Sequence, residues 1–380
     1  MTRNEYYLHE LLTPNQEQAL IDGASTYSLI KLRLYQKGVE LRQTKMGSEL
    51  GSKQFIAKQG QFIISKIDAR NGAMGLVPEN LDRAVVTGDF LLFDFNEKLV
   101  DSKFFEYYTR LRDFDHACKL SSEGSTNRVR LKIDKFLNIK VSLPSIEEQN
   151  RIIAIVETVR QNLDEIKKIR VEQAKDFQNL LYSKYSEIIE GADWLPMRDV
   201  APIVRRDVVI DDNALYPEVG IRSFGKGTFH KPALTGLEVG TKTLYQVKSG
   251  DLMFSNVFAW EGAIAVVKDE DDNRYGSHRF ISCEVDKVKA IAEFLCYHFL
   301  TPKGIEDINH ASPGGAGRNK TLGLEKLMRI NVPIPKLDLQ KEFVELFHEI
   351  QELRNHHKQT EKELDELMPS LLDKAFKGEL

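Results

Sequence analysis

The chain is poor in cysteine and has no long apolar run. Its three cysteines, Cys118, Cys283 and Cys296, form no even set and no CxxC pair, so neither a disulfide framework nor a zinc site is expected. We expect free thiols in a reducing cytoplasm. No apolar segment reaches the ~18 residues needed to cross a bilayer, and the first residues lack the apolar core of a signal peptide.

A strong excess of either charge is also missing. The formal net charge of −4 argues against a simple nucleic-acid binder. Residues 144–190 hold 9 acidic and 7 basic residues, however, and residues 335–380 hold 11 and 7. The rest of the chain therefore has two more basic than acidic residues, which leaves DNA binding open to those parts.

Motifs of enzymes that act on DNA are absent. We find no Asn/Asp-Pro-Pro-Tyr/Phe motif, no glycine-rich loop convincing for a methyl donor and no P-loop. The glycine-rich stretch 312–319 matches a serine- and threonine-containing stretch, 121–128, so it predicts a shared surface loop. His356 and His357 do not predict a metal site, and the acidic run Asp269–Asp272 predicts a solvated turn. These absences disfavour a DNA-modifying enzyme, and we expect no metal-binding residue.

The chain repeats itself at an offset of 189 to 191 residues. Because the offset drifts by only about two residues along the whole chain, we infer a tandem duplication. The matching pairs are Arg33–Gly38 with Arg222–Gly227, Gly60–Val77 with Gly250–Val267, Gly124–Pro144 with Gly315–Pro335, and Phe177–Tyr185 with Met368–Phe376.

Each copy has the same internal order of predicted secondary structure. Short apolar runs broken by Gly, Asn and Asp predict β-strands, and Ser102–Phe114 and Ala290–Leu300 predict helices among them. Each copy then continues with proline, acidic residues and glutamine, followed by some forty residues that predict one long helix. Pro369 is expected to kink or interrupt the second long helix.

These patterns predict an α+β fold with two similar mixed α/β domains related by a pseudo-twofold axis. The two domains would be joined by two long helices packed as an antiparallel coiled coil. The predicted division is residues 1–143 for the first globular domain, 144–190 for the first long helix, 191–334 for the second globular domain and 335–380 for the second long helix.

Both long helices carry an apolar stripe at a spacing of three to four residues, interrupted midway by polar residues. At ~1.5 Å per residue, forty residues span ~60 Å, which is longer than a domain of this size is wide. An apolar stripe projecting into water needs a partner helix, and the other copy supplies one. The alternative is two amphipathic helices, each packed on its own domain. The predicted seam residues are Val156, Val159, Leu163, Ile166, Phe177, Leu180, Phe343, Leu346, Ile350, Leu353, Leu364, Leu367 and Leu371.

The chain resembles the specificity (S) subunit of Type I restriction–modification systems. The resemblance rests on a unit in which a strand is followed by proline, then by Glu-Gln, and then by a long helix, and on the repetition of this unit near residue 335. It also rests on the segments Gly124–Arg128 and Leu371–Leu380. It implies a non-catalytic subunit that recruits two methyltransferase subunits, together with restriction subunits in the full complex. S-adenosylmethionine would then be bound by the methyltransferase and not by this chain.

Candidate DNA contacts are basic, amide or hydroxyl residues placed where both copies predict a turn. In the first copy they are Arg33, Lys37, Lys66, Arg70, Asn71, Ser125, Thr126, Asn127 and Arg128. In the second copy they are Arg222, Lys226, Asn256, Trp260, Arg318, Asn319 and Lys320.

Positions that agree between the copies, such as Arg33 with Arg222 and Lys37 with Lys226, suit phosphate contacts. Positions that differ, such as Lys66 and Asn256, suit base reading, because two half-sites normally differ in sequence. Trp260 is either a core residue or an exposed stacking residue.

Three functions fit these patterns to different degrees. The leading prediction is a subunit that recognises a bipartite duplex DNA target, one half per domain. The alternative is a coiled-coil scaffold for proteins that has no sequence preference on DNA. A DNA-modifying enzyme is disfavoured by the missing catalytic motifs.

Overall fold

The computed structural model describes residues 3–51, 53–124, 129–314 and 320–379. The chain forms two compact units, unit 1 from Met1–Lys168 with Gln359–Leu380 and unit 2 from Ile169–Lys358. Each unit therefore contains one globular domain and a part of each long helix. Within the described ranges, no helix is both long and apolar enough to span a membrane.

The domain of unit 1 is built mostly from short strands separated by turns. Its strands and helices are β1 (Asn4–Tyr7), α1 (Leu8–Leu11), β2 (Leu12–Pro14), β3 (Thr26–Leu32), β4 (Val39–Met46), β5 (Gln54–Ala57), β6 (Phe62–Ser65), β7 (Met74–Leu76), β8 (Ala84–Thr87), β9 (Phe90–Phe95), α2 (Ser102–Tyr108), α3 (Arg112–Leu120), β10 (Ser122–Glu123), β11 (Arg130–Leu131), α4 (Ile133–Leu137) and β12 (Lys140–Leu143). The first long helix, α5 (Ile146–Ile189), follows β12.

The domain of unit 2 repeats this order. Its strands and helices are β13 (Asp193–Pro196), α6 (Met197–Val200), β14 (Ile203–Val204), β15 (Leu215–Ile221), β16 (Thr228–Thr235), α7 (Gly236–Val239), β17 (Leu244–Gln246), β18 (Leu252–Ser255), β19 (Ile264–Val266), β20 (Tyr275–Ser277), β21 (Phe280–Cys283), α8 (Ala292–Leu300), α9 (Pro302–Ala311), α10 (Leu324–Met328) and β22 (Asn331–Ile334). The second long helix is α11 (Leu337–Lys377), which continues through Pro369 without interruption.

The sheets of the two units have the same strand order. Unit 1 has four-stranded sheets ordered β2-β9-β6-β7 and β4-β3-β8-β5, and unit 2 has β14-β21-β18-β19 and β16-β15-β20-β17. In both units one pair of strands is parallel, β3 with β8 and β15 with β20, and the other pairs in these sheets are antiparallel. The first strand of each domain also pairs with the strand that precedes the long helix, β1 with β12 and β13 with β22. The prediction of two similar mixed α/β domains is confirmed.

In unit 1 the start of α5 packs beside the end of α11. Ile152 and Val156 lie in the same buried cluster as Leu372 and Phe376. Further along α5, the Lys167 ammonium lies 2.8 Å from a carboxylate oxygen of Asp365. Residue numbers rise on one helix while they fall on the other, so the two helices run antiparallel in this unit.

In unit 2 the end of α5 packs beside the start of α11. The Arg170 guanidinium donates to the main-chain oxygen of His357 at 3.2 Å, and the rings of Tyr185 and Phe343 are 6.2 Å apart. The helices are therefore antiparallel here as well. The predicted helix pairing is confirmed in each unit, in place of two helices that pack only on their own domains.

The burial of the predicted seam residues is graded. Leu181, the neighbour of the exposed Leu180, is buried in the core of unit 2, so the contact there falls one residue later than the pattern suggests. Val156, Leu163, Phe343 and Ile350 are buried; Val159, Phe177, Leu346, Leu364 and Leu371 are half-buried; and Ile166, Leu180, Leu353 and Leu367 are exposed.

The last turns of both long helices dock on their domains in the same way. The Phe376 ring near the end of α11 lies 5.7 Å from Tyr108 on α2, and the Tyr185 ring near the end of α5 lies 6.1 Å from His298 on α8. These residues occupy matching positions in the repeat, so the duplication includes the helix-docking contacts.

The three cysteines are free thiols. Cys118 and Cys283 are buried, and burial raises the pKa of the Cys118 thiol to about 12. Burial likewise raises the pKa of Cys283. A thiol with a raised pKa is a poor nucleophile, so these residues act as small apolar core side chains.

Candidate nucleic-acid interface

The first group of predicted contact residues lies on the hairpin loop between β3 and β4. The loop is closed by the Arg33 N–H, which donates to the Gly38 oxygen at 2.9 Å. The exposed Arg33 guanidinium approaches the exposed Glu40 carboxylate at 3.4 Å, a weak surface pair. Lys37 is exposed at the end of the loop. Both cations are therefore accessible to a phosphate.

The loop between β15 and β16 of unit 2 repeats this arrangement. The Arg222 N–H donates to the Gly227 oxygen at 2.9 Å. The guanidinium of Arg222 lies 4.9 Å from the centre of the Phe229 ring and donates to the Thr228 oxygen at 2.6 Å. Lys226 is exposed, with its ammonium 5.7 Å from the centre of the Phe224 ring.

In each unit this hairpin loop is hydrogen-bonded to a second turn, which lies between β6 and β7 in unit 1 and between β18 and β19 in unit 2. In unit 1 the N–H groups of Tyr35 and Gln36 donate to the oxygens of Asn71 and Gly72 at 2.8 and 2.9 Å. The hairpin loop and the turn that carries Arg70 and Asn71 therefore form one surface.

In unit 2 the N–H groups of Phe224 and Gly225 donate to the oxygens of Glu261 and Gly262, again at 2.8 and 2.9 Å. The same two main-chain bonds thus join the hairpin loop to the Trp260 turn. Two loops that are about 35 residues apart in sequence form one surface here as well.

A third segment joins each surface through a main-chain bond. The Leu131 N–H donates to the oxygen of Lys66 at 2.7 Å, and the Leu322 N–H donates to the oxygen of Asn256 at 2.8 Å. The predicted contacts Ser125, Thr126, Asn127, Arg128, Arg318 and Asn319 immediately precede these segments and lie outside the described residues.

Lys66 and Asn256 occupy the same place in the two units. The Lys66 ammonium donates to the Gly88 oxygen at 2.7 Å, which leaves donors for another partner. The side-chain oxygen of Asn256 is buried and has no hydrogen-bond partner within the described ranges. Two chemically different groups therefore occupy one position of a shared loop. Whether either group reads a base stays a prediction.

Trp260 is a half-buried residue packed against the core of unit 2. Its indole N–H donates to the Val257 oxygen at 2.9 Å, and the Lys320 ammonium lies 5.1 Å from the ring centre. Lys320 also donates to the side-chain oxygen of Asn309 at 3.0 Å. Of the two alternatives for Trp260, this geometry favours the core residue.

The acidic run Asp269–Asp272 is only partly a solvated turn. Asp271 is 0% exposed and accepts hydrogen bonds from Thr228 at 2.7 Å, from His230 at 2.8 Å and from the Lys268 N–H at 3.2 Å. Burial works against its ionisation, but these bonds outweigh burial, and the pKa of Asp271 is lowered. The expectation of a solvated turn is therefore wrong for Asp271, which connects β16 to this turn through Thr228 and His230.

Aromatic residues at the tips of the hairpin loops were not among the predicted contacts. Tyr35 is 71% exposed and Phe224 is 73% exposed. The sequence signal was available, because both residues lie two positions after the matched Arg33 and Arg222.

Comparisons with known proteins agree with this architecture. The family model for the Type I restriction modification DNA specificity domain matches the chain twice, at residues 13–174 and 196–366. Because these matches cover most of the chain, the protein belongs to this family, and the resemblance seen in the sequence is confirmed. A search of curated protein sequences gives no match.

Two solved structures share the fold along the whole chain. The crystal structure of the HsdS subunit from Thermoanaerobacter tengcongensis is 19% identical, with a TM-score of 0.65, and the alignment covers 100% of this chain and 97% of that one. A chain from a study of complex assembly and conformational transition of the type I R-M system is 17% identical, also with a TM-score of 0.65, and the alignment covers 100% and 98%. At these identities the likeness shows the fold alone.

Proposed function

We propose that this chain is the DNA-specificity subunit of a Type I restriction–modification complex and reads a bipartite duplex target, one half with each domain. The observation that carries the proposal is the repeated three-segment surface. Arg33 and Lys37 in one unit match Arg222 and Lys226 in the other, whereas Lys66 is replaced by Asn256. Matched cations suit the phosphates common to both half-sites, and unmatched side chains suit different bases.

We further propose that the chain performs no chemistry itself and recruits two methyltransferase subunits, with restriction subunits in the full complex. The methyltransferase subunits would bind S-adenosylmethionine and modify the target. Exposed apolar side chains on the long helices support a protein-binding role for them, since Val171 on α5 is 61% exposed and Leu353 on α11 is 46% exposed. The complex would act in the cytoplasm, where the free thiols stay reduced.

The test is to map methylated adenines in a genome that carries the methyltransferase subunit with and without this chain. A split motif that appears only when the chain is present is the expected result. Replacing residues 1–143 by the corresponding domain of another member of the family should then change one half of the motif and leave the other half unchanged. A motif altered in both halves would contradict the assignment of one half per domain.

The scaffold alternative makes the opposite prediction. If the complex bound DNA without sequence preference and with little dependence on salt concentration, the helices would be the functional part of the chain and the paired loops would not be a DNA interface.

A further inference from the structure

Both units present a large aromatic ring to solvent at the same position of the same hairpin loop. Tyr35 and Phe224 each lie between the matched arginine and the matched lysine of their loops. Many exposed apolar residues in proteins have no function, but these two recur at the same position of both loops, between the matched arginine and the matched lysine. One copy has a hydroxyl and the other does not, so the shared feature is the ring.

The backbone at both positions is held in a conformation that side chains disfavour. Tyr35 has φ of 59° and Phe224 has φ of 62°, in the left-handed region that favours glycine. A strained residue persists only where its surroundings fix it, and such residues concentrate at functional sites. The N–H of each aromatic residue and that of the next residue are bound to the adjacent turn, as described above.

The adjacent turn has a glycine where the hairpin loop contacts it. Gly72 and Gly262 accept the second bond in each unit and have φ of 71° and 75°. A Cβ on Gly72 would lie 2.6 Å from the Gln36 side chain, and a Cβ on Gly262 would lie 3.4 Å from the Phe224 Cα. Both positions favour glycine through their positive φ, whereas an added Cβ would meet the flexible end of the Gln36 side chain in unit 1 and would make a tight contact in unit 2.

The surroundings of the rings indicate a partner that combines negative charge with flat apolar faces. Arg33 and Lys37 flank Tyr35, and Arg222 and Lys226 flank Phe224, in a chain whose net charge is negative. DNA has both properties, since its phosphates attract the cations and its bases stack on aromatic rings. An acidic protein surface is the alternative partner, because aromatic residues are also common at protein interfaces, and the test below separates the two.

We propose, on the basis of the function proposed above, that Tyr35 and Phe224 each stack against a base of duplex DNA, one in each half of the target. Each ring would enter the duplex beside the matched cations and partly unstack a base step, as apolar side chains do in other DNA-binding proteins. The rings would fix the position of each domain along the target so that the neighbouring side chains meet their bases.

The test uses the complete methyltransferase complex and the split target mapped as above. Tyr35→Gly and Phe224→Gly remove the ring but keep a residue that readily adopts the positive φ, so the thermal stability of both variants should be close to that of the wild type. Each should weaken target binding about ten- to a hundredfold. Tyr35→Phe, which keeps the ring, should bind like the wild type. Leu237→Ala, which removes another side chain that is 73% exposed, is the matched surface control.

Base unstacking gives a second measurement that a structural role would not change. 2-Aminopurine placed at successive steps of the target, away from the adenines that the methyltransferase subunits modify, should become fluorescent at one step in each half when the wild-type complex binds. Tyr35→Gly should abolish the signal in one half only, and Phe224→Gly in the other half only.

The outcomes separate this inference from the function on which it rests. If the wild-type complex shows no target preference, the proposed function fails. If the wild type is specific but both glycine variants keep its affinity and its fluorescence signals, the stacking role is overturned. Loss of methyltransferase subunits from the variants, with normal target affinity in the complexes that remain, would show a protein contact and would also overturn it.

Discussion

The side chain of Gln149 donates to the main-chain oxygen of Pro144 at 3.0 Å, five residues earlier in the chain. The same amide donates to the oxygen of Leu99 at 3.0 Å, and its own oxygen accepts from the Asp101 N–H at 2.9 Å. Gln340 repeats all three bonds in unit 2, and both glutamines are 0% exposed. The repeated glutamine therefore fixes the start of each long helix to its domain.

Removing this glutamine should destabilise the unit that contains it. Gln149→Leu leaves two main-chain oxygens and one N–H without a partner in a buried site, so the free energy of unfolding should fall by about 3 kcal/mol. Urea unfolding followed by circular dichroism measures the change. Gln173→Leu, at an exposed position of the same helix, should change it by less than about 0.5 kcal/mol. Equal effects of the two substitutions would show that the buried bonds contribute little.

His298 should make the stability of unit 2 sensitive to mild acid. It is buried, and its ring lies 2.5 Å from the Tyr185 hydroxyl. Burial lowers the pKa of His298 to about 4, with Asp307 opposing the shift and Lys303 adding to it. The unfolded chain, with an ordinary histidine pKa of 6.5, therefore binds a proton more readily than the folded chain between these pH values. The contribution of the neutral His298 to the free energy of unfolding is fully present above pH 6.5. It should decline by about 3 kcal/mol as the pH falls to 4.

Urea unfolding at pH 7.0 and at pH 4.5 tests this expectation. Trp194 and Trp260 are the two tryptophans of the chain and both lie in unit 2, so their fluorescence reports on that unit. The His298→Gln variant, whose side chain does not titrate, should lose less stability between the two pH values than the wild type. His116→Gln, at an exposed position of unit 1, should behave like the wild type. A pH dependence unchanged in His298→Gln would exclude this residue as its source.

The matched lysines should act through phosphates and not through bases. Lys37→Ala and Lys226→Ala should each weaken binding to every DNA sequence to a similar degree. Each should also reduce the slope of log K against log salt concentration by about one. Titrations from low to moderate salt measure the slope, with the exposed Lys98→Ala and Lys287→Ala as controls. A loss of affinity confined to one target sequence would instead assign the lysine to base reading.

Pro369 should reduce the stability of α11. It lies at an exposed position inside a continuous helix, where proline lacks the N–H that would bond to the Asp365 oxygen. Pro369→Ala should restore that bond and raise the free energy of unfolding by about 2 kcal/mol. Hydrogen exchange of the amides from residue 366 to residue 373 should slow accordingly. Ser370→Ala is the neighbouring control, and a similar gain in both variants would point to alanine itself and not to the proline.

Much of the fold could be predicted because the sequence contains two copies of the same unit. The constant offset predicts that β2 to β9 have counterparts in β14 to β21, and the Glu-Gln signal near residues 148 and 149 predicts the start of α5. The prediction of the helix-seam residues was less accurate, because Leu180 and Leu181 are adjacent and only packing decides which one is buried. The pseudo-twofold relation and the four predicted segment boundaries stay predictions.

The candidate site was predictable in its segments but not in its contacts. Aligning the copies identifies the loops of Arg33 and Arg222. The bond from Tyr35 to Asn71, in contrast, joins residues distant in sequence and has no local signal. Asp271 shows the same limit, since its burial depends on Thr228 and His230 from another strand. Trp260 looks like a turn residue in the sequence, and only the packed structure places its ring against the core.

The return of α11 to unit 1 has a consequence for biosynthesis. Leu372, Ala375 and Phe376 complete a hydrophobic cluster that already contains Ile152 and Val156, more than two hundred residues upstream. A ribosome that has translated only the first half of the message has therefore produced a nascent domain with an uncovered apolar patch. Chaperones that bind exposed hydrophobic surface should associate with this half-made chain and dissociate once the last helix emerges from the exit tunnel.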